Sequence, residues 1–226
     1  MKPHILKPFF TIHMYNILQI VCGTNLFIFY AVDIISGMNV HGNLDVNLIN
    51  VLTSSVRVVF MAVSCLILVW VGRRALSISS GVGSGTAAVI LGTLIYFKVT
   101  HEWLLTSLIL LYVAFNTYGY FVLPPSMIGE ILPSKIRCIA GAYIFTLNDI
   151  VMFGATKAFP SISASIGAHG IFWTFGISSL VCALFLYLLL PETKGRSLVE
   201  IERYFLQSNI FWITRNKNKV KMNSLV

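Results

Sequence analysis

The chain has 226 residues, of which 57% are hydrophobic and only 11% charged, with a formal net charge of +8 and a mean hydropathy of +0.82. Soluble domains average about 25% charged residues, so this composition argues against a water-facing globular fold and for burial in lipid. The basic excess does not point to nucleic acid, because the basic residues sit at helix ends and in the tail, with none of the aromatic-interleaved patches that bind single strands.

A helix that crosses a bilayer takes roughly 20 apolar residues. Apolar windows fall at 9–36, 48–71, 77–97, 103–129, 138–160 and 167–190. The expected architecture is therefore an all-α membrane protein, a six-helix transmembrane bundle over residues 1–190, followed by a tail over 191–226. Lys2 and Lys7 precede the first window, but no small-residue cleavage site follows it, so it reads as a retained span rather than a signal peptide.

Span one carries Asn16, Gln19, Thr24 and Asn25 around Gly23, with Asp33 in its outer part. Gln19 and Asn25 are about 120° apart on a straight helix, so they converge only if the chain bends near Gly23. Span two carries Arg57 and ends at Gly72-Arg73-Arg74. Span three holds mostly Gly, Ala, Ser and Leu, and the polar stretch Lys98–Glu102 separates it from span four. Span four holds Asn116, Thr117, Tyr118 and Tyr120, then Pro124-Pro125, which are expected to break it. Span five, after Pro133, carries Thr146, Asn148, Asp149 and Lys157; the stretch Pro160–His169 is expected to be the loop before span six, and Pro191 to end that span. Spans three and six lack the polar load of the others, which suggests that some helices line a pore while others face lipid. In the tail, Ser197 and Glu200 have capping-box spacing, and Leu198, Ile201 and Phe205 recur at helical spacing, as in a short amphipathic helix on the membrane face.

Charges inside a bilayer cost about 2.5–3.5 kcal/mol each on insertion scales. Asp33, Arg57, Asp149 and Lys157 therefore either neutralise one another across helices or line a water-filled cavity that meets solute. Loop charge sets the orientation: Lys2, Lys7, Arg73, Arg74, Lys135, Arg137 and the basic tail lie on one side, and the alternate loops hold almost nothing basic beyond Lys98. By the positive-inside rule both termini are cytoplasmic. The four cysteines, Cys22, Cys65, Cys138 and Cys182, have no metal spacing and read as small packing residues. No cofactor or metal site is expected. No His, Asp, Glu or Cys cluster sits at one membrane depth, which argues against a membrane enzyme.

Several ordered motifs resemble the sugar porters of the major facilitator superfamily. Gly23-Thr24-Asn25 with Phe29-Tyr30 resembles the Q-Q-x-S-G-I-N-x-x-x-x-Y stretch of the seventh helix, and Gly72-Arg73-Arg74 the loop between helices eight and nine. Gly129-Glu130 with Pro133 and Arg137 resembles G-E-x-x-P-x-x-x-R after helix ten, and Pro191-Glu192-Thr193-Lys194-Gly195-Arg196 the signature after helix twelve. Val56-Arg57-Val58-Val59, Thr156-Lys157-Ala158-Phe159 and Gly167-Ala168-His169-Gly170 resemble the insect facilitated trehalose transporter branch.

The resemblance implies one half of a major facilitator fold, helices seven to twelve, in the cell membrane. It implies that Gln19, Asn25 and Asn148 bind sugar hydroxyls, with Thr117 standing at the position of the family's usual glutamate. Phe29 and Tyr30 match an outer gate. Arg73, Arg74, Glu130, Arg137, Glu192 and Glu200 match a cytoplasmic charge network. Departures include Ile20 for the second glutamine, Val69-Trp70 for an acid-arginine pair, Tyr120-Phe121-Val122 for a glycine-proline-rich stretch, and Pro125 for a tryptophan. The functional reading is a trehalose- or hexose-class sugar transporter acting by alternating access, with the missing amino-terminal six-helix half expected in cis or trans. The alternative is a truncated, non-transporting half that binds or regulates a full-length partner, or an inactive fragment.

Overall fold

A computed structural model describes residues 3–37, 46–99, 101–132, 136–190 and 194–195, and side chains from residue 7 onward. The helices are α1 (Pro3–Val21), α2 (Leu26–Ser36), α3 (Val46–Trp70), α4 (Arg73–Tyr96), α5 (Glu102–Phe115), α6 (Leu123–Ile131) and α7 (Arg137–Leu189), with a π-helical segment, Asn116–Phe121, between α5 and α6. Among the described residues, five helical stretches are long and apolar enough to cross a membrane: Lys7–Ser36, Val46–Trp70, Arg73–Tyr96, Glu102–Ile131 and Arg137–Leu189. The first four match the first four apolar windows to within a few residues.

The fifth stretch differs from the expectation of two spans parted by a loop at 160–169. Helical backbone continues through Pro160, and the break comes at Gly167, with φ 67° and ψ 176°. Glycine alone enters that region without a side-chain clash. The chain folds back there. The rings of Phe159 and Phe175 lie 6.3 Å apart, whereas a straight helix would hold these residues about 24 Å apart. Pro160 is tolerated for an identifiable reason. Proline removes the N–H that would bond the carbonyl four residues earlier, which is Thr156 O. That oxygen instead accepts the Tyr30 hydroxyl, 3.0 Å away.

The core forms two apolar clusters. One gathers Ile12, Tyr15, Leu76, Tyr120, Met127, Ile144, Cys182 and Leu186. The other gathers Phe27, Ala87, Leu91, Ile109, Tyr112, Phe159, Phe172 and Phe175. The first four helical stretches send opposite ends to different clusters, α3 through Ile49 and the partly buried Ile67, and each arm of α7 does the same, so the seam between clusters lies near mid-length of the bundle. Two breaks in helical structure besides Gly167 fall at that seam. At the first, Gly23 takes φ 81° between α1 and α2, and a Cβ there would stand 2.6 Å from the Phe175 ring. At the second, the π-helical turn Asn116–Phe121 precedes Pro124 and Pro125, which sit inside the start of α6.

Broken helices leave carbonyls that lipid cannot satisfy. Hydroxyls from neighbouring helices take over. Tyr112 donates to Cys22 O at 2.8 Å, holding the first break. Ser80 donates to Phe115 O and Ser64 to Tyr118 O, both at 2.6 Å, holding the second. The serines of α4 are thus not lipid-facing filler, as the low polar load of span three implied. Ser77, Ser80 and Ser84 are fully buried. Gly85 and Gly176 oppose each other so closely that a Cβ on Gly176 would stand 3.0 Å from Gly85 O, the close approach that small residues allow between membrane helices.

Candidate functional site

A pocket opens at the seam, lined by Gly23, Thr24 and Phe27 from the first break, Arg57 from α3, Tyr112 and Val113 from α5, and Asn116, Thr117 and Phe121 from the π-helical segment. Its empty volume is about 210 Å³ including the open mouth. The two breaks build it. The turn at Gly23 presents Thr24 sideways, and the widened π turn brings Asn116 and Thr117 onto the same wall; π-helical turns recur at functional sites. Thr24 Oγ1 and Asn116 Nδ2 are buried and have no hydrogen-bond partner. Tyr112 forms the floor, its hydroxyl committed to Cys22 O and its ring stacked parallel to Phe175 at 6.4 Å.

The sequence-derived site residues are distributed unevenly around this pocket. Thr117 lines it. Gln19 is buried one turn before the break, Asn25 is half-buried just after it, and Asn148 is half-buried on the first arm of α7 with Oδ1 unpartnered. None of these three lines the pocket. The sequence reading missed Phe27, Tyr112, Val113 and Phe121, which carry no polar signal. Thr24 and Asn116 were visible as polar residues beside a glycine and in a mixed amide-tyrosine run, without a reason to rank them above their neighbours.

Of the expected gate residues, Phe29 is exposed at 65%, and Tyr30 stacks on Phe159 at 4.8 Å while bonding Thr156 O. Tyr30 also departs from helical backbone, with φ −116° and ψ 20°. The intramembrane charges do not neutralise one another: among the described residues Asp33, Arg57, Asp149 and Lys157 make no ion pair, and Asp33, Asp149 and Lys157 are exposed. Arg57 is half-buried at the pocket.

Of the residues expected to form a charge network, Arg73 and Glu130 make an ion pair. Arg73 Nη2 and Nε donate to Glu130 Oε1 at 3.0 and 3.2 Å, and Arg73 Nη1 to Leu68 O at 3.2 Å, tying the start of α4 to the ends of α6 and α3. Arg74 lies over the Tyr187 ring, 5.0 Å from its centre, and donates to Tyr187 O. Arg137 donates to Leu132 O at 3.3 Å, bridging the connection between α6 and α7. Glu192 and Glu200 lie outside the described residues, as do Pro133 and the amphipathic tail segment. Among the described residues no group of three or more His, Cys, Asp and Glu could hold a metal ion.

Two discontinuous helices meeting at mid-depth around a polar pocket are the architecture of membrane carriers, and sequence comparison places the chain among them. A family model described as "Sugar (and other) transporter" matches residues 1–205, so the chain belongs to the sugar transporter family and is a multi-pass membrane protein. It is 34% identical over 187 residues to a facilitated trehalose transporter Tret1-2 homolog of Drosophila simulans, covering 80% of this chain and 38% of the relative. Against the facilitated trehalose transporter Tret1 of Polypedilum vanderplanki it is 34% identical over 209 residues, covering 90% of this chain and 41% of the relative. The fold matches the inward open conformation of the xylose transporter XylE from E. coli with a TM-score of 0.76 at 22% identity, over 88% of this chain and 42% of that chain. The chain spans about two fifths of the length of the curated relatives it matches. These relatives are carriers rather than enzymes.

Proposed function

We propose that the chain is the carboxy-terminal, six-span half of a trehalose- or hexose-class sugar transporter working by alternating access, completed by an amino-terminal half in cis or trans. In this reading α7 is two spans that reverse at Gly167, since its 53 residues would run about 80 Å as one straight helix, far more than the roughly 30 Å of a bilayer core. Both termini and the Arg73–Glu130 end face the cytoplasm of a cell-membrane protein, as the distribution of basic residues favours. The Gly23 turn and the π-helical segment supply one wall of the sugar site, and the other half supplies the facing wall.

Gln19, Asn25, Asn148 and Thr117 contribute hydrogen bonds to hydroxyls when the halves close, because amides and hydroxyls both donate and accept. Phe29 and Tyr30 cover the outer mouth. The network of Arg73, Arg74, Glu130 and Arg137, with Glu192 and Glu200, holds the cytoplasmic end shut in the outward-open state and releases it in the inward-open state.

The observation that carries the reading is the pocket at the meeting of both helix breaks, with two buried polar atoms left unpartnered. The test is uptake of labelled trehalose and glucose into oocytes. The chain is expressed alone and together with the amino-terminal half of an insect facilitated trehalose transporter. Uptake is expected when both halves are present. No uptake of either sugar in either condition refutes the carrier function for these sugars and leaves a regulatory half or an inactive fragment.

A further inference from the structure

Arg57 lies in the branch motif Val56-Arg57-Val58-Val59, which gives it no role, and neither core cluster includes it. It projects from the middle of α3, the least buried of the membrane-length helices, and it lines the pocket. Among the described residues no carboxylate pairs with it. An unpaired guanidinium at that depth is costly, and intramembrane charges that persist mark solute or ion pathways. The residues that line the pocket with it include no acid. Arg57 offers only donors, and so does the unpartnered Asn116 Nδ2; the hydroxyls of Thr24 and Thr117 can donate as well. The Tyr112 proton is already taken by Cys22 O. Arg57 is thus the one fixed cationic donor on a wall whose amide and hydroxyls both donate and accept, with Thr24 and Asn116 only 5% and 4% exposed.

We propose that Arg57 is a solute-contacting, specificity-determining residue, its planar fork of N–H groups donating to two adjacent acceptor oxygens of the solute. Adjacent acceptors of the required geometry occur in a vicinal diol and in a carboxylate, and a guanidinium meets either through two parallel hydrogen bonds. Lysine at this position would preserve the charge and lose the fork. Glutamine would keep a neutral donor and lose both the charge and the second parallel bond. The proposal rests on the carrier reading above, and it extends that reading from the amide residues expected by sequence resemblance to a charged residue on a different helix.

The experiment uses the two-half uptake assay with wild type, Arg57→Lys and Arg57→Gln, each normalised to protein at the cell surface. Labelled trehalose probes the diol and labelled glucuronate the carboxylate. The expected result is an apparent KM raised about tenfold by Arg57→Lys, the equivalent of about 1.4 kcal/mol, with the maximal rate per surface molecule little changed. A rise with trehalose assigns the diol, and one with glucuronate assigns the carboxylate. In parallel, the purified chain in lipid nanodiscs is treated with phenylglyoxal, and the Arg57 adduct is measured by peptide mass spectrometry. The effective sugar is expected to slow modification of Arg57 and leave Arg196 unaffected. KM values within twofold of wild type for both solutes, with no protection, overturn the proposal while the carrier reading stands. Absence of uptake by the wild-type pair overturns both. Reduced surface protein with unchanged KM identifies a structural role and overturns it too.

Discussion

At the scale of single residues, the polar side chains of this protein divide by what they satisfy. Ser64, Ser80 and Tyr112 spend their hydroxyl protons on carbonyls released by helix breaks, so they serve the backbone. Thr24 and Asn116 keep unpartnered atoms at the pocket, so they remain available to a solute. Gly23 connects the two groups. Its φ of 81° excludes a side chain on conformational grounds, and the Phe175 ring excludes one on steric grounds. Gly23→Ala should therefore lower stability by about 1–3 kcal/mol, the usual cost of holding a non-glycine residue in a sparsely populated backbone region. Thermal melting in detergent reads this directly. A melting temperature equal to wild type would mean that the break at residues 22–25 is not held as described. The sequence made this break legible because a glycine sits between amides and hydroxyls that a straight helix would point apart.

At the scale of elements, prolines were a poorer guide than the partners of the carbonyls they strand. Pro160 read as the end of a helix, and Pro124-Pro125 as the break in span four. In the structure the helix runs on through Pro160, and the break in the fourth stretch precedes its prolines as a π-helical turn. What decides the outcome is a long-range contact invisible in a local window: the Tyr30 hydroxyl on Thr156 O. This predicts a specific coupling. Tyr30→Phe leaves Thr156 O without its donor and should cost about 1–3 kcal/mol. Pro160→Ala restores the N–H that can bond the same carbonyl. In the Pro160→Ala background, Tyr30→Phe should therefore cost much less, and a double-mutant cycle read by denaturant titration in detergent would show an interaction energy of about 0.5–3 kcal/mol. Additive effects would mean that Pro160 and Tyr30 do not share the Thr156 carbonyl. The small-residue character of α4 misled in the opposite direction. Its serines and glycines suggested a featureless lipid-facing helix, but they allow the closest packing in the bundle and hold the π-helical segment through Ser80.

At the scale of the whole molecule, hydropathy located the five membrane-length stretches found among the described residues, because burial in lipid imposes the same apolar requirement on each. It located the reversal in the last stretch less well, since the residues from Pro160 to Gly167 are compatible with a loop or a helix, and the break is set by the backbone of Gly167 and the Phe159–Phe175 contact. The direction of insertion belongs to loop charge and is separately testable. The exposed Cys65 and Cys138 are first changed to Ser, and single cysteines are then introduced at Lys98, Ser165 or Lys194, all exposed positions. If α7 reverses outside the membrane and the Arg73–Glu130 end is cytoplasmic, an impermeant maleimide added to intact cells should label Lys98→Cys and Ser165→Cys but reach Lys194→Cys only after permeabilisation. The opposite pattern inverts the orientation while keeping the reversal. Failure to label Ser165→Cys under both conditions places residue 165 within the bilayer or in protein, which is incompatible with two spans meeting at Gly167. Labelling at 98 and 165 from the same side carries most weight, because α4 and α7 approach that side from different parts of the chain. A single uninterrupted α7 crossing would have to extend about 80 Å and could not also bring Phe159 against Phe175.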